Sequence, residues 1–238
     1  MGICRRRPYN TGLPEHRLAE LDAQLAPKDI RWDTFYADRA KPCPFFVASP
    51  DESLAEWVGS GSIATGRALD LGCGHGRNAV FLARHGFQVE GLDLSATALR
   101  WAQERAVDAG VDVTWRNESV FDATFTAGGY ALVHDSGCFH HIAPHRREQY
   151  VDLVVDALRP GGWFTLTTFR PEGGSGYTDD EVYERSSLGG GLGYTEEQLR
   201  TFWSRGLDVQ QVRQMRKQAA GSGLFGEDFL WVLLARKR

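Results

Sequence analysis

A glycine-rich loop that follows a short apolar run is the segment of this sequence best suited to hold a ligand. Residues 68–78 read ALDLGCGHGRN, which places glycines at 72, 74 and 76. Glycine has no Cβ, so the backbone of such a loop approaches a ligand closely at the carboxyl end of a strand. The dinucleotide fingerprint GxGxxG would need a glycine at position 77, where the sequence has Arg77, so the spacing disfavours NAD.

A carboxylate follows the next apolar run. Asp93 ends the segment 88–93 and comes 17 residues after Gly76. A carboxylate at the end of a second strand can accept hydrogen bonds from both hydroxyls of a ribose. Because NAD and adenosyl cofactors both contain that ribose, Asp93 predicts a nucleoside site without identifying the cofactor.

Two adjacent histidines could move a proton. His140 and His141 lie in the segment 134–142, HDSGCFHHI, after a predicted strand. Imidazole titrates near neutral pH, so either side chain could deprotonate a phenol, hydroxyl or thiol, although a structural role is equally compatible with the pattern. Asp135 is the third candidate for proton transfer. Ser136 lacks a nucleophile elbow and the histidines lack HExxH spacing, so neither covalent catalysis nor a metal site is expected.

Alternating short apolar runs and helical patterns from Arg67 onward predict βαβ units, and hence a doubly wound α/β fold with a mainly parallel sheet. The predicted strands are 68–71, 88–92, 111–115, 130–134, 163–169, 208–215 and 228–235. Helices are expected between them, although the one after the third strand should be short and irregular. Thr195 and Gln198 match a capping box, which predicts a helix start.

Two segments are predicted to cover the strand ends. Residues 1–60 form an N-terminal extension with one helix through Leu18 and Leu25 and another carrying Trp32 and Tyr36. The remaining domain, 61–238, includes a loop at about 171–194 with seven glycines. A long glycine-rich loop is often a lid or substrate loop, so we expect these two segments to close over the site.

The loop 70–76 resembles the first motif of class I S-adenosylmethionine-dependent methyltransferases. The resemblance extends from about Ala68 to Phe169 and includes the acidic end of strand two, the strand-four segment and a Pro-Gly-Gly turn at 160–162. It implies a Rossmann-like seven-stranded sheet with an antiparallel last strand, and S-adenosyl-L-methionine as cofactor. The first half is also similar to small-molecule members of the thiopurine and tellurite-resistance type, in which an aromatic N-terminal segment closes over the cofactor.

The resemblance also implies the cofactor contacts. Asp70 and the loop backbone would hold the methionine part, and Asp122 would meet the adenine amino group, or Glu118 with a small shift in alignment. The implied cofactor-binding set is Trp32, Tyr36, Asp70, Gly72, Cys73, Gly74, Gly76, Asn78, Asp93, Leu94, Val120, Phe121 and Asp122.

Composition narrows the class of partner. The chain has 27 basic and 31 acidic residues, a net charge of −4, whereas a polyanion-binding domain usually has a strong basic excess, so nucleic acid is not an expected partner. Its longest apolar stretch near the C-terminus, 229–235, is too short to cross a bilayer. The cysteines, including Cys4, form no CxxC pair and follow no secretory signal, which predicts free thiols and a cytoplasmic location.

We therefore expect methyl transfer from S-adenosylmethionine to an oxygen, nitrogen or sulfur atom of a small organic molecule such as a secondary metabolite. The segment 134–137 lacks the Asp/Asn-Pro-Pro-Tyr/Phe element of adenine amino-methyltransferases, which disfavours DNA methylation. Three alternatives remain: a tRNA-modifying methyltransferase, an NAD-dependent oxidoreductase, and a non-catalytic module that binds S-adenosylmethionine. The sequence does not predict the oligomeric state.

Overall fold

The computed structural model describes residues 13–26 and 30–238. The helices α1 to α8 span Glu15–Leu25, Trp32–Ala37, Glu52–Gly59, Arg77–Arg84, Ala96–Ala109, Arg147–Ala157, Asp179–Arg185 and Glu196–Trp203. The strands β1 to β7 span Arg67–Leu71, Gln88–Asp93, Val113–Asn117, Tyr130–Ser136, Leu158–Phe169, Leu207–Gln214 and Leu230–Lys237. Single 3₁₀ turns at Phe139–His141 and Pro144–Arg146 lead from β4 to α6. The predicted free thiol of Cys4 lies outside the described residues.

One seven-stranded sheet organises the chain, in the order β3-β2-β1-β4-β5-β7-β6. Strands β1 to β5 pair in parallel, and β7 inserts antiparallel between β5 and β6. The predicted fold, a doubly wound sheet with an antiparallel last strand, is confirmed. The strand order reverses between β1 and β4, and α/β sheets bind ligands in the crevice outside the carboxyl ends of strands at such a reversal.

Helices bury both faces of the sheet, which explains why the central strands read as continuous apolar runs. On one face, α3 and α4 contribute the buried side chains of Leu54, Trp57 and Leu82. On the other face, α6 and α8 contribute Tyr150 and Trp203. Because α3 belongs to this core, residues 52–59 of the predicted N-terminal extension pack against the body of the fold.

Two helices begin with the same side-chain arrangement. At α8, the hydroxyl of Thr195 accepts a hydrogen bond from the amide of Gln198 and the side chain of Gln198 accepts one from the amide of Thr195, as the sequence predicts. At α7, Thr178 and Glu181 form the equivalent pair. Such a pair satisfies two amides that a helix start leaves without partners. The segment 171–194, predicted as a loop, therefore contains a helix.

The segment 171–194 is fastened to the body of the fold. Arg147 in α6 makes a bidentate pair with Asp179 at the start of α7, at 2.7 and 2.8 Å. Further along, the amide of Tyr194 donates a hydrogen bond to the carbonyl of Phe169 at 3.1 Å. The glycine-rich segment therefore forms an ordered cover over the end of the sheet in this structure.

Both helices predicted in the N-terminal extension are present, and carboxylates dock them on the fold. Asp22 in α1 accepts a hydrogen bond from the imidazole of His145 at 2.8 Å. Asp33 in α2 accepts hydrogen bonds from the hydroxyl of Ser95 at 2.8 Å and the amide of Thr97 at 2.9 Å, both at the start of α5. These contacts hold α1 and α2 close to the carboxyl ends of the strands.

Besides the helix within 171–194 and shifts of one or two residues at strand ends, two predicted elements differ from the structure. The short helix expected between β3 and β4 is replaced by turns over residues 118–129. Strand β5 begins at Leu158 rather than at 163, because Leu158 pairs with Tyr130 before the Pro-Gly-Gly turn at 160–162. The pairing thus starts on the N-terminal side of residues that sequence patterns mark as a stop.

Within residues 13–26 and 30–238, every helix is too short or too polar to cross a lipid bilayer. In the same described residues, no three side chains of His, Cys, Asp or Glu come together in a way that could hold a metal ion.

Candidate active site

A cavity of about 850 Å³ lies at the carboxyl ends of β1, β2 and β4, where the strand order reverses. Its volume is toward the upper end of the usual range for ligand pockets, roughly 300–1,000 Å³. Helices α1 and α2 and the segment 171–194 contribute to its walls. The cavity brings together these predicted site residues: Trp32, Tyr36, Asp70, Gly72, Cys73, Gly74, Asn78, Asp93, Leu94, Val120, Phe121, Asp122, His140 and His141.

The glycine loop adopts backbone angles that would be strained for any residue with a Cβ. Gly72, Gly74 and Gly76 have positive φ angles of 62°, 53° and 78°. A Cβ on Gly74 would stand 2.6 Å from the hydroxyl of Tyr36, and a Cβ on Gly76 would stand 2.8 Å from the Cβ of Ala102. Gly72 and Gly74 line the cavity, whereas Gly76 packs the loop against α5 and does not line it.

Asp93 ties the glycine loop to the start of α5. Its Oδ2 accepts a hydrogen bond from the amide of Gly74 and its Oδ1 accepts one from the amide of Ser95, both at 2.8 Å. Burial raises the pKa of Asp93, although the two amides oppose the shift. The side chain lines the cavity at the end of β2, where the sequence predicts a ribose contact.

Asp70 lines the cavity, and one of its carboxylate oxygens, Oδ2, has no hydrogen-bond partner among the described residues. The residue is 2% exposed. Burial raises the pKa of Asp70 well above its usual value; the positive charge of Arg77 opposes this shift, whereas the charges of Asp51 and Asp93 reinforce it. An unpaired buried carboxylate oxygen is costly unless a ligand supplies a donor. Asp70 therefore suits a cationic amino group.

Two further carboxylates line the cavity, those of Glu118 and Asp122. Val120 and Phe121 line it with them, and their apolar surfaces suit the face of a base. The carboxylate of Glu118 accepts a hydrogen bond from Nε of Arg116 at 2.6 Å. Contact with the adenine amino group stays a prediction, open between these two carboxylates.

His140 and His141 lie in the 3₁₀ turn after β4, and both line the cavity. The ring of His140 stacks on Phe169, whereas the ring of His141 lies edge-on to Trp32 with centroids 4.8 Å apart. Burial lowers the pKa of His141 to about 4 and the pKa of His140 well below its usual value of 6.5. Both imidazoles are therefore neutral near pH 7, the form that can accept a proton.

Asp135 does not line the cavity. Its carboxylate is completely buried and accepts hydrogen bonds from the amides of Cys138 and Phe139 and from the hydroxyl of Tyr150. A general base must reach the proton that it removes. The predicted proton-transfer role of Asp135 does not fit this geometry, because the strand register turns its side chain toward α6 instead of the cavity.

A buried ion pair beneath the cavity was missed by the sequence analysis. Arg77 pairs with Asp51 at 2.5 Å, and the hydroxyl of Thr167 donates a hydrogen bond to the same carboxylate at 2.8 Å. Burial would raise the pKa of Asp51, but Arg77 and the nearby His134 hold it below its usual value. Arg77 and Thr167 also line the cavity. The only signal in the sequence was a charged residue directly after the glycine loop.

The residues of the cavity fit S-adenosylmethionine. The unpartnered oxygen of Asp70 offers a site for the ammonium group of its methionine part, and Asp93 offers a carboxylate for its ribose. In the glycine loop, a Cβ at Gly72 would stand 2.8 Å from the Cβ of Cys138 and one at Gly74 would stand 2.6 Å from the hydroxyl of Tyr36, so the close packing of the loop requires glycine. The cavity is also large enough to admit a second small molecule beside a nucleoside cofactor.

Sequence comparison agrees with this geometry. A family model described as a methyltransferase domain matches residues 68–162. The chain is similar to the 2-heptyl-1-hydroxyquinolin-4(1H)-one methyltransferase of Mycobacteroides abscessus, with 27% identity over 185 residues, 77% of this chain and 76% of that protein. Further curated methyltransferases match over less than half of their own length, 45 to 47%.

Solved structures share the fold. The structure described as "Conversion of a Disulfide Bond into a Thioacetal Group during Echinomycin Biosynthesis" has a TM-score of 0.68 and 23% identity, covering 87% of this chain and 90% of that chain. TehB from Haemophilus influenzae, of the tellurite-resistance type, has a TM-score of 0.60 and 15% identity, covering 87% of this chain and 67% of that chain. At these identities, the likeness concerns the fold.

Proposed function

The chain is a class I S-adenosylmethionine-dependent methyltransferase, and from this premise we propose that it methylates an oxygen, nitrogen or sulfur nucleophile on a small, planar aromatic molecule. A hydroxyl on a heteroaromatic ring is the first acceptor to test. The observation that carries the proposal is the aromatic lining of the cavity, in which Phe169 stacks on His140 and Trp32 lies against His141. Phe45, Phe225 and Phe229 also line the cavity.

Flat apolar walls select planar acceptors, because ring stacking and apolar burial both favour them. The stack of His140 on Phe169 shows that this part of the cavity accommodates parallel aromatic rings. The similarity to a hydroxyquinolinone methyltransferase supports the same acceptor class, since that relative matches across most of both chains.

When bound, S-adenosylmethionine would supply an electrophilic methyl group, and its sulfonium sulfur would keep the electron pair of the broken carbon–sulfur bond, which leaves S-adenosylhomocysteine. Asp70 would hold its ammonium group, Asp93 its ribose hydroxyls, and the backbone of Gly72 and Gly74 its methionine part. Each of these groups is fixed by the loop or strand that carries it, which supports catalysis by proximity and orientation. Tyr36, packed against Gly74, would close this part of the cavity to water.

His140 or His141 would remove the proton of the acceptor. A neutral imidazole nitrogen takes the hydroxyl proton, and the oxygen keeps the electron pair with which it forms its new bond to carbon. Both rings line the cavity beside the aromatic walls, which supports this role. Their lowered pKa values keep them unprotonated, but they also make each ring a weaker base than a solvent-exposed histidine.

The test uses 2-heptyl-1-hydroxyquinolin-4(1H)-one as probe and the same quinolinone without its hydroxyl as control. The purified protein and S-adenosylmethionine should add one methyl group, detected by mass spectrometry, to the hydroxylated compound alone. Unfractionated tRNA and NADH form parallel arms. Methylation of tRNA with no modification of the quinolinone would favour a tRNA-modifying methyltransferase. Turnover that depends on NADH would favour an oxidoreductase. Binding of S-adenosylhomocysteine with no acceptor modified would favour a non-catalytic module.

We also propose a cytoplasmic location. Cys43, Cys73 and Cys138 are free in the structure, which supports a reducing compartment. Fractionation of cells that express the tagged chain tests this, and recovery in a secreted or membrane fraction would contradict it.

A further inference from the structure

Asp135 is a fully buried carboxylate that the proposed mechanism does not use. It lies near the end of β4, in register with Leu71 of β1. Its neighbours His134 and Ser136 point to the opposite face, where Ser136 contacts Arg77. Asp135 therefore points away from the buried ion pair and toward α6, and no cation in the described part of the chain forms an ion pair with it.

Three neutral donors satisfy this carboxylate. Oδ1 accepts a hydrogen bond from the amide of Cys138 at 2.8 Å, and Oδ2 accepts one from the amide of Phe139 at 3.0 Å. The hydroxyl of Tyr150, on α6, donates to Oδ2 at 2.6 Å. Burial raises the pKa of Asp135 to about 7, and these donors oppose the shift. Burying a carboxylate with no cation is costly, so a purely apolar side chain would serve packing better here.

The two amides lie at the beginning of the turn that carries the paired histidines, Phe139–His141. On its other side, this turn is fixed by the carbonyl of His140, which accepts a hydrogen bond from the amide of Leu192 at 2.8 Å. The turn is thus held between the segment 171–194 and the carboxylate of Asp135. A short 3₁₀ turn has few hydrogen bonds of its own, so these outside contacts set its orientation.

We propose that Asp135 and Tyr150 are positioning residues that hold the His140–His141 turn in the orientation that presents both imidazoles to the cavity. The consequence for catalysis rests on the proposed role of these histidines. The consequence for the orientation of the rings does not, so the two can be tested separately.

Four variants separate positioning from packing. Asp135→Ala removes all three acceptor contacts. Asp135→Asn can keep three hydrogen bonds, because its amide oxygen can accept from both backbone amides while its amide nitrogen donates to the oxygen of Tyr150, which reverses that one bond. Tyr150→Phe removes only the hydroxyl. Tyr130→Phe is the matched control. Tyr130 is equally buried but lies at the opposite end of β4, where it donates a hydrogen bond to the carboxylate of Glu90.

Histidine ring NMR spectra report the orientation and titration of His140 and His141 without any acceptor. In Asp135→Ala and Tyr150→Phe, the two ring signals should shift and their titration should move toward the ordinary imidazole range as water enters. Single-turnover methylation of the hydroxyquinolinone probe should slow by about 10²-fold in Asp135→Ala, the scale of misplacing a reacting group by about 1 Å. Affinity for S-adenosylhomocysteine should stay within about threefold, and Asp135→Asn and Tyr130→Phe should match the wild type.

Unchanged histidine signals in folded Asp135→Ala and Tyr150→Phe would overturn the proposal. If Asp135→Ala does not fold, Tyr150→Phe decides, and wild-type ring signals in that variant would overturn it. Equal shifts in Tyr150→Phe and Tyr130→Phe would also overturn it, because they would indicate a general effect of losing a buried hydroxyl. If the wild type does not methylate the probe, the proposed acceptor is wrong, and the NMR comparison still decides the positioning role.

Discussion

The imidazole of His140 lies flat on the ring of Phe169, with ring centroids 3.7 Å apart and planes 7° apart. Gly191 closes the edge of this stack: a Cβ built there would stand 2.7 Å from Cε2 of Phe169 and 3.1 Å from Cδ2 of His140. The glycine-rich segment therefore fixes the plane of a candidate base. The lack of a side chain at Gly191, in the segment 171–194, is therefore needed for the observed orientation of His140.

Gly191→Ala should lower methyl transfer to the probe by about 10- to 100-fold, because the added methyl group must displace one of the two stacked rings. Gly176→Ala is the matched control, since Gly176 also has a positive φ angle but has no neighbour within 4 Å of a built Cβ. Single-turnover rates and the thermal midpoint should be measured for both variants. Equal losses in the two variants would attribute the effect to backbone strain, and the stack would then have no special role.

The sequence was sufficient to predict the elements whose signals are local. The strand followed by a glycine loop, the carboxylate that ends β2 at Asp93, and the capping box at Thr195 can each be recognised from a few neighbouring residues. The capping box at Thr178 was equally local, but the seven glycines around it suggested a loop. Composition therefore obscured a helix start that spacing alone would have indicated.

Contacts between distant residues could not be predicted in the same way. The pairing of Asp51 with Arg77 depends on how the start of α3 meets the start of α4, which no local pattern specifies. The orientation of Asp135 depends on strand register, and a shift of one residue reverses the face to which a side chain points. Sequence placed Asp135 correctly near the end of β4, but the register turned it away from the cavity.

S-adenosylhomocysteine should raise the thermal midpoint, whereas NADH and NADPH should not, because only a ligand that binds the native state stabilises it. Asp93→Asn should weaken this binding by about 10- to 100-fold, the scale of losing hydrogen bonds to a charged group at ~1.5–3 kcal/mol. The exposed Asp112→Asn serves as control. Calorimetry and thermal shift both measure the effect, and wild-type affinity in a folded Asp93 variant would remove Asp93 from the site.

Binding of S-adenosylhomocysteine should release protons from Asp70. In the free protein, burial raises the pKa of this carboxyl, so it keeps its proton to a higher pH than an exposed aspartate does. A ligand ammonium placed against it would lower that pKa again, because an opposite charge favours the ionised form. Titration calorimetry in two buffers with different ionisation enthalpies measures the release, which Asp70→Asn should abolish. A binding enthalpy independent of buffer in the wild type would contradict this prediction.

The three cysteines in the described part of the chain all line the cavity. Burial raises the pKa of each of these thiols, which suppresses the reactive thiolate form beside a methyl donor. In a Cys4→Ser background, iodoacetamide should therefore alkylate Cys43, Cys73 and Cys138 slowly at pH 8, and S-adenosylhomocysteine should slow the reaction by a further factor of about ten. Peptide mass spectrometry measures each site. Equal rates with and without the ligand would show that it binds elsewhere.

The pH dependence of kcat/KM should reveal the lowered pKa of the histidine that removes the proton. Because kcat/KM reports the ionisation of the free enzyme, a catalytic imidazole with a pKa of about 4, as in His141, should give a rate that falls only well below pH 6.5. A histidine with a lowered pKa also destabilises the fold as pH falls below 6.5, since the unfolded chain then binds the proton more readily. Folding must therefore be checked by circular dichroism at each pH.

His140→Asn and His141→Asn should be compared with His134→Asn. His134 is also buried with a pKa lowered to about 4, but it does not line the cavity. The variant of the catalytic histidine should lose about 10²- to 10⁴-fold in rate together with the acidic limb of the profile, while binding S-adenosylhomocysteine normally. His134→Asn should alter only the dependence of stability on pH. If both cavity variants keep the wild-type rate and profile, neither histidine is the base, and orientation by the cavity must carry the reaction.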